Sequence, residues 1–463
     1  MSTRHATQQV NPFLTVPIGR LFLLNALPMT VVMSMGGVLN IVDGVFVGHF
    51  IGSDALAAVS LAFPVAMVLS ALSTLTGGGM SSLMARHLGA GDRITAGRVF
   101  AETHGLVLAI SVGLVVLWEV VGTTLIGSMA AGNSKIAELA QDYLRIIILG
   151  APVQLMLGIH ADALRSEGQA GLIATLSVLI NLFNIGANWL GIVVLGLGVS
   201  GSALGTVAAQ ALGLVLVLGV RRYSKRLLPL SVLRTQSWLG AWLEIIRLGL
   251  PLCLSFIGIA VVASTVMLFL RLHAGAEYGA LVAAYGVVTR LLSFAFLPQM
   301  AIALATQSIT GNNVGAGRND RALATLRLAM SVAFLWCMSV ALIGTVAGTT
   351  LGSWFSYDPA VIDAVTEILR PMMLLYVSSG PILVLALYFQ SLGQSGRTAA
   401  LTLVKPWLLT PLFILTLSAG FGVRGIWIAF PLAEAIMLII AVLIARNVLS
   451  TTGTQAFNAE EHR

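Results

Sequence analysis

Charge is what this sequence has least of. Of 463 residues only 9% are Asp, Glu, Lys or Arg, while 57% are hydrophobic; soluble domains carry roughly 25% charged residues. So few charges cannot cover a water-facing surface around a core of this size, which excludes a soluble globular protein. Disorder needs the opposite composition and is excluded too. The two cysteines, Cys253 and Cys337, both fall in apolar runs and read as small packing residues rather than a disulfide framework. Lysine is nearly as scarce: Lys135, Lys225 and Lys405 are followed by Ile136, Arg226 and Pro406, so no Walker A lysine is present. Histidines occur singly, with no HExxH and no Cys/His cluster, and a metal enzyme finds no support.

What is present is apolar and continuous, as in Leu106–Trp118 and Ile436–Ala445. A transmembrane β-barrel would alternate polar and apolar residues, whereas a membrane helix needs about 20 apolar residues in a row. The fold class is therefore an all-α polytopic membrane protein with twelve transmembrane helices. The predicted spans are 18–48, 55–84, 97–122, 137–163, 170–193 and 199–220, then 244–270, 278–306, 322–347, 361–390, 398–418 and 424–446. The stretch after Arg20 is too long for the apolar region of a signal peptide, so no cleaved leader is expected.

Basic residues set an orientation. With the N-terminus inside, eighteen Lys and Arg fall on inner segments, three on outer ones and four within helices. That bias places both termini in the cytoplasm of a cell inner (plasma) membrane protein. It also explains the net charge of +7 without nucleic acid.

The chain repeats itself. His87-Leu88-Gly89-Ala90-Gly91-Asp92-Arg93 returns as Asn313-Val314-Gly315-Ala316-Gly317-Arg318-Asn319; Arg165-Ser166-Glu167-Gly168-Gln169 returns as Gln390-Ser391-Leu392-Gly393-Gln394; Gly198-Val199-Ser200-Gly201 returns as Gly422-Val423-Arg424-Gly425. The offsets are 226, 225 and 224 residues. Each offset covers six spans, so the halves share one orientation and form a parallel repeat of two pseudo-symmetric six-helix bundles. The expected domains are 1–220, a cytoplasmic linker at 221–243, and 244–463. Two bundles about a central cavity suit alternating access.

Charge within a helix is the functional clue. Asp43 lies 23 residues beyond Arg20, roughly 35 Å along the first helix, where a carboxylate costs about 2.5–3.5 kcal/mol. Two readings are open: an outer cap among headgroups, or a proton- or cation-binding carboxylate facing a cavity, with Asn40 one turn earlier. Asn181, Asn184 and Asn188 fall on one face of the fifth helix. They read as interhelical hydrogen bonding or as partners of Asp43. By depth, Asp43, Asn184, Asn188 and Thr206 occupy one layer. Pro28 interrupts the first helix, as a static kink or a moving joint. Glu434 matches Gln210 in the repeat, while Arg290 and Lys405 either face the C-terminal cavity or snorkel. Glu102, His104 and Asp162 lie near inner ends and read as interfacial. With no nucleotide site, an ion gradient is the expected energy source. A catalytic dyad is not found, so the chain is not read as an enzyme.

These residues resemble the multidrug and toxic compound extrusion (MATE) transporters. The resemblance rests on Val42-Asp43-Gly44-Val45-Phe46-Val47-Gly48, Leu56-Ala57-Ala58-Val59, Arg165-Ser166-Glu167-Gly168 and Tyr388-Phe389-Gln390-Ser391-Leu392-Gly393, and covers about residues 15 to 447. It implies antiport of amphipathic, often cationic drugs or toxic metabolites against inward H⁺ or Na⁺. In DinF-like members an aspartate at the Asp43 position, with polar residues at Asn184 and Thr206, forms the coupling site, and the first helix bends near the Pro28 position. This sequence departs at Asn188, where that pattern often has a second aspartate. It also lacks the acidic residues of NorM-like members, since 251–268 and 371–390 contain no Asp or Glu. The expectation is therefore H⁺ coupling, with Na⁺ as the alternative, no cofactor or metal, small-molecule partners, no nucleic acid, and a monomer. A lipid-linked precursor flippase of the same superfamily, which usually carries extra helices and more cavity arginines, is the competing reading, which twelve spans disfavour.

Overall fold

The computed structural model describes residues 11–130 and 133–460, with the side chains of residues 40, 41 and 447–460 outside that description. Among the described residues all regular structure is helical. Eleven helices are long and apolar enough to cross a bilayer, and a bent pair brings the number to twelve when it is taken as one span. In chain order they are α1 (Ile18–Phe50), α2 (Ser53–Gly89), α3 (Arg93–Met129), α4 (Ser134–Ser166), α5 (Ala170–Val194), α6 (Gly198–Tyr223), α7 (Trp242–His273), α8 (Gly275–Gly315), α9 (Asn319–Val346), α10 (Pro359–Met373 with Tyr376–Ser391), α11 (Ser395–Phe421) and α12 (Val423–Arg446).

The twelve predicted spans all correspond to these helices, with two differences. The helices overrun the apolar windows; α8 runs 41 residues. Side-chain caps and water satisfy backbone groups beyond the hydrocarbon, so hydropathy underestimates helix ends. Asp92 accepts from the Thr95 amide at 2.9 Å and Asn133 from the Ile136 amide at 3.2 Å, starting α3 and α4. The second difference is α10, predicted as one helix over 361–390. It bends by 56° between Met373 and Tyr376. Pro371 lacks an amide donor, and Leu375 takes φ 61°, the only described non-glycine residue at positive φ. A leucine there costs about 1–2 kcal/mol and gives the sequence no glycine to mark the break.

The repeat has a backbone counterpart. Gly91 and Gly317 hold φ 78° and 72°, Gly168 and Gly393 hold 78° and 79°, and Gly198 and Gly422 hold 59° and 57°. Each repeated motif thus carries a left-handed glycine that ends or starts a helix at the same place in both halves, a conformation only glycine adopts without strain.

By compactness the chain divides into two units. One comprises described residues up to Phe256 together with 307–325 and 391–393; the other comprises 257–306, 326–390 and residues from Gln394 onward. The core of the first unit is built from Met80, Met84, Phe100, Leu155, Ile159 and Ile245. Glycines set its closest helix approaches: a Cβ on Gly79 would collide with the Ile245 carbonyl, and one on Gly315 with the Arg86 carbonyl. The core of the second unit gathers Leu270, Val288, Val365, Ile368 and Ile414 around Trp427, which stacks on Tyr285 at 5.9 Å between ring centres.

Candidate functional site

Three helices of the first unit bring their polar residues together. Asp43 on α1 accepts a hydrogen bond from Asn188 Nδ2 on α5 at 2.6 Å. The same amide nitrogen donates to Asn184 Oδ1 at 3.3 Å, and Asn184 Nδ2 donates to Thr206 Oγ1 on α6 at 3.3 Å. The result is a chain of side-chain hydrogen bonds from α1 through α5 to α6. Asn184 and Asn188 are buried, while Asp43 and Thr206 are half-buried.

Glycine and a change of helix type make this approach possible. Just beyond Asn188, α5 widens into a π-turn, Leu190–Val194, a feature that frequently sits at functional sites. There Gly191 and Gly201 pack backbone to backbone, each leaving no room for a Cβ on the other. Gly205, one residue before Thr206, faces Asn188 Oδ1, which a Cβ would strike. From the sequence Gly201 stands out only as part of the repeat, and Gly191 and Gly205 are not marked as site residues. The small-residue run Gly198-Val199-Ser200-Gly201-Ser202-Ala203-Leu204-Gly205 was the available signal.

The other sequence candidates fall differently. Asn181 is half-buried, and no hydrogen bond joins it to this chain among the described residues. The Asn40 side chain lies outside the described residues. Pro28 sits within α1, which continues helical on both sides of it. Thr30 Oγ1 donates to the Ala26 carbonyl at 2.9 Å close to that point.

As arranged, the Asn188 amide N–H meets Asp43 Oδ1, and Asn188 Oδ1 is a buried acceptor with no donor among the described residues. Hard cations want converging oxygen ligands. No cluster of three or more His, Cys, Asp or Glu side chains able to hold a metal ion occurs among the described residues. The same unit has a half-open cavity of about 270 Å³, lined by Ser73, Gln154, Ser177 and Gln210 and by aliphatic side chains that include Leu157, Leu176 and Ile180. A few polar groups in an apolar wall are what a small-molecule site requires.

At the end of this unit that carries the basic loops, the structure corrects several sequence readings. Glu102 and His104 are buried rather than interfacial. The linker covers them: Trp242 Nε1 donates to the Glu102 carbonyl at 2.9 Å. The histidines that look solitary in sequence meet in space, with His104 Nε2 and His160 Nε2 3.2 Å apart on neighbouring helices. His104 Nδ1 lies 2.7 Å from the Phe100 carbonyl, so it carries a proton, and the neutral pair has His160 donating to His104. Two of the basic residues used for orientation are paired and buried. Arg165 pairs with Asp162 at 3.0 Å and donates to Ser81 and Gln307. Arg221 pairs with Glu167 at 3.0 Å. Glu167 also accepts from the Leu228 amide at 2.6 Å, which fastens the linker to α4. Burial pushes the Glu167 carboxyl above its ordinary value, and Arg221 pulls it back.

The second unit has its own polar cluster at the break in α10. Lys405 Nζ donates to Glu434 Oε2, and Ser378 Oγ lies 3.1 Å from Glu434 Oε1. Gln299 Nε2 donates to Tyr376 Oη at 3.0 Å and contacts Cys337 Sγ at 2.9 Å. Lys405 therefore neither snorkels nor stands alone, whereas Arg290 is exposed. Gln299, Tyr376 and Ser378 carried no sequence signal.

Comparison with known proteins agrees with this architecture. The MatE family model matches residues 28–190 and again residues 251–415, once in each half of the repeat. An FAD transporter of Shewanella oneidensis is 25% identical over 94% of this chain and 96% of its own length. The multidrug export protein MepA of Staphylococcus haemolyticus is 26% identical over 89% and 90%. Among solved structures, a MOP superfamily transporter from Pyrococcus furiosus superposes with a TM-score of 0.86 at 25% identity, covering 96% of this chain and 98% of that one. An outward-facing multidrug resistance MATE transporter superposes equally well, with 96% and 99% covered. With two matches to the family model and twelve membrane-length helices, the chain belongs to the MatE family of multi-pass membrane transporters and is not an enzyme.

Proposed function

We propose that the protein is an H⁺-coupled antiporter that exports amphipathic, often cationic, drugs or toxic metabolites across the inner membrane by alternating access, with both termini in the cytoplasm. The observation that carries this reading is the chain Asp43–Asn188–Asn184–Thr206. An ionised Asp43 accepts the Asn188 amide. Rotating that amide end for end presents its carbonyl instead, and a protonated Asp43 then donates to it at the same separation. Two protonation states thus fit one geometry without a second carboxylate. Because the hydrogen bonds link α1 to α5 and α6, a proton arriving on Asp43 changes the contacts of α1, with Pro28 as its joint and the two six-helix halves as the bodies that move. Na⁺ coupling finds less support, since Asn188 stands where a second carboxylate would be needed and hard cations want anionic oxygens.

The cavity beside Gln210 and Gln154 is the cargo site this reading implies, in a protein working as a monomer without a bound cofactor. The relatives differ in cargo, drugs for the MepA proteins and FAD for the Shewanella protein, so a transport assay includes ethidium and FAD together. Reconstituted vesicles with ΔpH and ΔNa⁺ imposed separately test the proposal. Ethidium movement driven by ΔpH and lost in Asp43→Asn is expected. Movement under neither gradient, or an Asp43→Asn variant as fast as wild type, overturns it.

A further inference from the structure

Lys405 and Glu434 form an ion pair deep within the second unit that the Asp43 network does not use. Lys405 is ten residues into α11 and Glu434 eleven residues into α12, about 15 Å from the starts of those helices and so near the middle of the bilayer. Charges at that depth are expensive, and they face a bundle interior or a water-filled cavity. Of the three lysines in the sequence, Lys135 starts α4 and Lys225 lies in the linker. Lys405 alone is placed within the apolar part of a span.

Two backbone irregularities converge on this pair. Lys405 is the first residue of a π-turn, Lys405–Leu409, and Glu434 is tied through Ser378 to the break of α10. Broken membrane helices near the midplane mark the binding sites of transporters, because irregular backbone is tolerated only where it lines a cavity or is buried in protein.

A purely structural role does not account for the charges. Between the 225- and 224-residue offsets of the flanking motifs Lys405 corresponds to Ile180 or Asn181, and at 224 Glu434 corresponds to Gln210, so the N-terminal half folds with uncharged residues at the same two positions. Buried ion pairs are commonly replaceable by uncharged residues without loss of stability. The charged pair of the C-terminal half is therefore an addition to the repeat.

Exposure decides which charge a visitor meets. The Lys405 side chain is 35% exposed and that of Glu434 only 6%. Glu434 occupies one of the three N–H donors of the ammonium, which leaves two donors on the more exposed partner of the pair. We propose that Lys405 is a binding residue for an anionic group, a carboxylate or phosphate, on the transported molecule, and that Glu434 is the positioning residue that holds the ammonium at this depth when no anion is bound. An arriving anion takes the free N–H donors of Lys405, while Ser378 keeps Glu434 at the break of α10. The inference rests on reading the chain as a small-molecule transporter, and it adds an organic-anion group to the cargo chemistry.

Binding of carboxyfluorescein, an anionic dye, to the full chain in lipid nanodiscs tests this by fluorescence anisotropy. The variant Lys405→Asn/Glu434→Gln replaces both charges with uncharged amides, leaves no buried charge unpaired, and is checked for folding by its melting temperature. Wild type is expected to bind the dye, the double variant to bind it about tenfold or more weakly, and Lys405→Arg to restore most of the affinity. A pair that served only to hold the fold would show its loss in the melting temperature of the double variant rather than in dye binding by a folded protein. Absence of dye binding by wild type, or equal binding by a folded double variant, overturns the inference. Wild-type ethidium transport is measured in parallel: its absence strikes the transporter assignment of the previous section, whereas the dye arm strikes only Lys405.

Discussion

In the N-terminal half a carboxylate, Asp43, meets the amide of Asn188 and makes no ion pair among the described residues; in the C-terminal half Glu434 carries its own countercharge, Lys405. A lone carboxylate at membrane depth changes its cost greatly with one proton, so it suits a coupling ion. A matched pair is internally neutral and changes state by exchanging a partner, which suits recognition of a charged cargo. One repeated plan, six helices with a left-handed glycine at each repeated motif, thus supports two ways of holding charge. Substitutions that convert one kind of site into the other test whether this division is real.

The largest effect is expected at Asp43. Asp43→Asn removes the only titratable member of the N-terminal chain, and ΔpH-driven transport should fall to the rate of protein-free vesicles, with no remaining dependence on pH. Downhill leakage of ethidium distinguishes lost coupling from a misfolded protein. A variant that retains steep pH dependence would place the coupling proton elsewhere.

Next is the asymmetry of breaking the C-terminal pair. Lys405→Met alone strands Glu434 in a buried site and should cost about 3–5 kcal/mol of stability, whereas the double exchange Lys405→Asn/Glu434→Gln should cost far less. Thermal unfolding in detergent reads the difference. Equal losses would mean that the two charges do not act as a pair.

Gly205→Val tests the N-terminal geometry without replacing any of its polar groups. The added side chain strikes Asn188 Oδ1, and overpacking of this kind costs about 1–3 kcal/mol. Proton-driven transport should slow. Leu204→Val, one position earlier with an exposed side chain, is the control and should transport at the wild-type rate. Unchanged transport in Gly205→Val would show that Asn188 need not stay where it is.

The smallest expected effect lies at the α10 break. Leu375→Asn places a residue more tolerant of positive φ at 61° and should raise stability by up to about 1 kcal/mol. A fall in melting temperature would mean that the Leu375 side chain contributes more by packing than its backbone costs.

Much of this molecule is legible as sequence because hydropathy and glycine are local signals. All twelve spans follow from apolar runs, and the repeat follows from three glycine motifs whose φ values match in pairs. The site is legible to a smaller extent. Asp43, Asn184, Asn188 and Thr206 stand out because polar groups in apolar helices are conspicuous, and a depth estimate of about 1.5 Å per residue places them in one layer. That estimate says nothing about rotation. Asn181 shares the stripe of Asn188 but lies about 10 Å from it along the helix, and no hydrogen bond joins it to the chain among the described residues. At the break in α10 the sequence offers only Pro371, and the residue that turns the chain, Leu375, carries no mark of its positive φ.

By itself, then, the sequence determined the solvent, the number of spans, their parallel repeat and the few polar residues the membrane makes costly. The tertiary structure alone decided which of those residues meet. His104 finds His160 across 56 positions, Arg221 finds Glu167 across 54, and Lys405 finds Glu434 across 29. Such pairings depend on how neighbouring helices pack and rotate against each other, a property of glycine-sized gaps and side-chain volumes summed over whole surfaces, which no single stretch of chain contains.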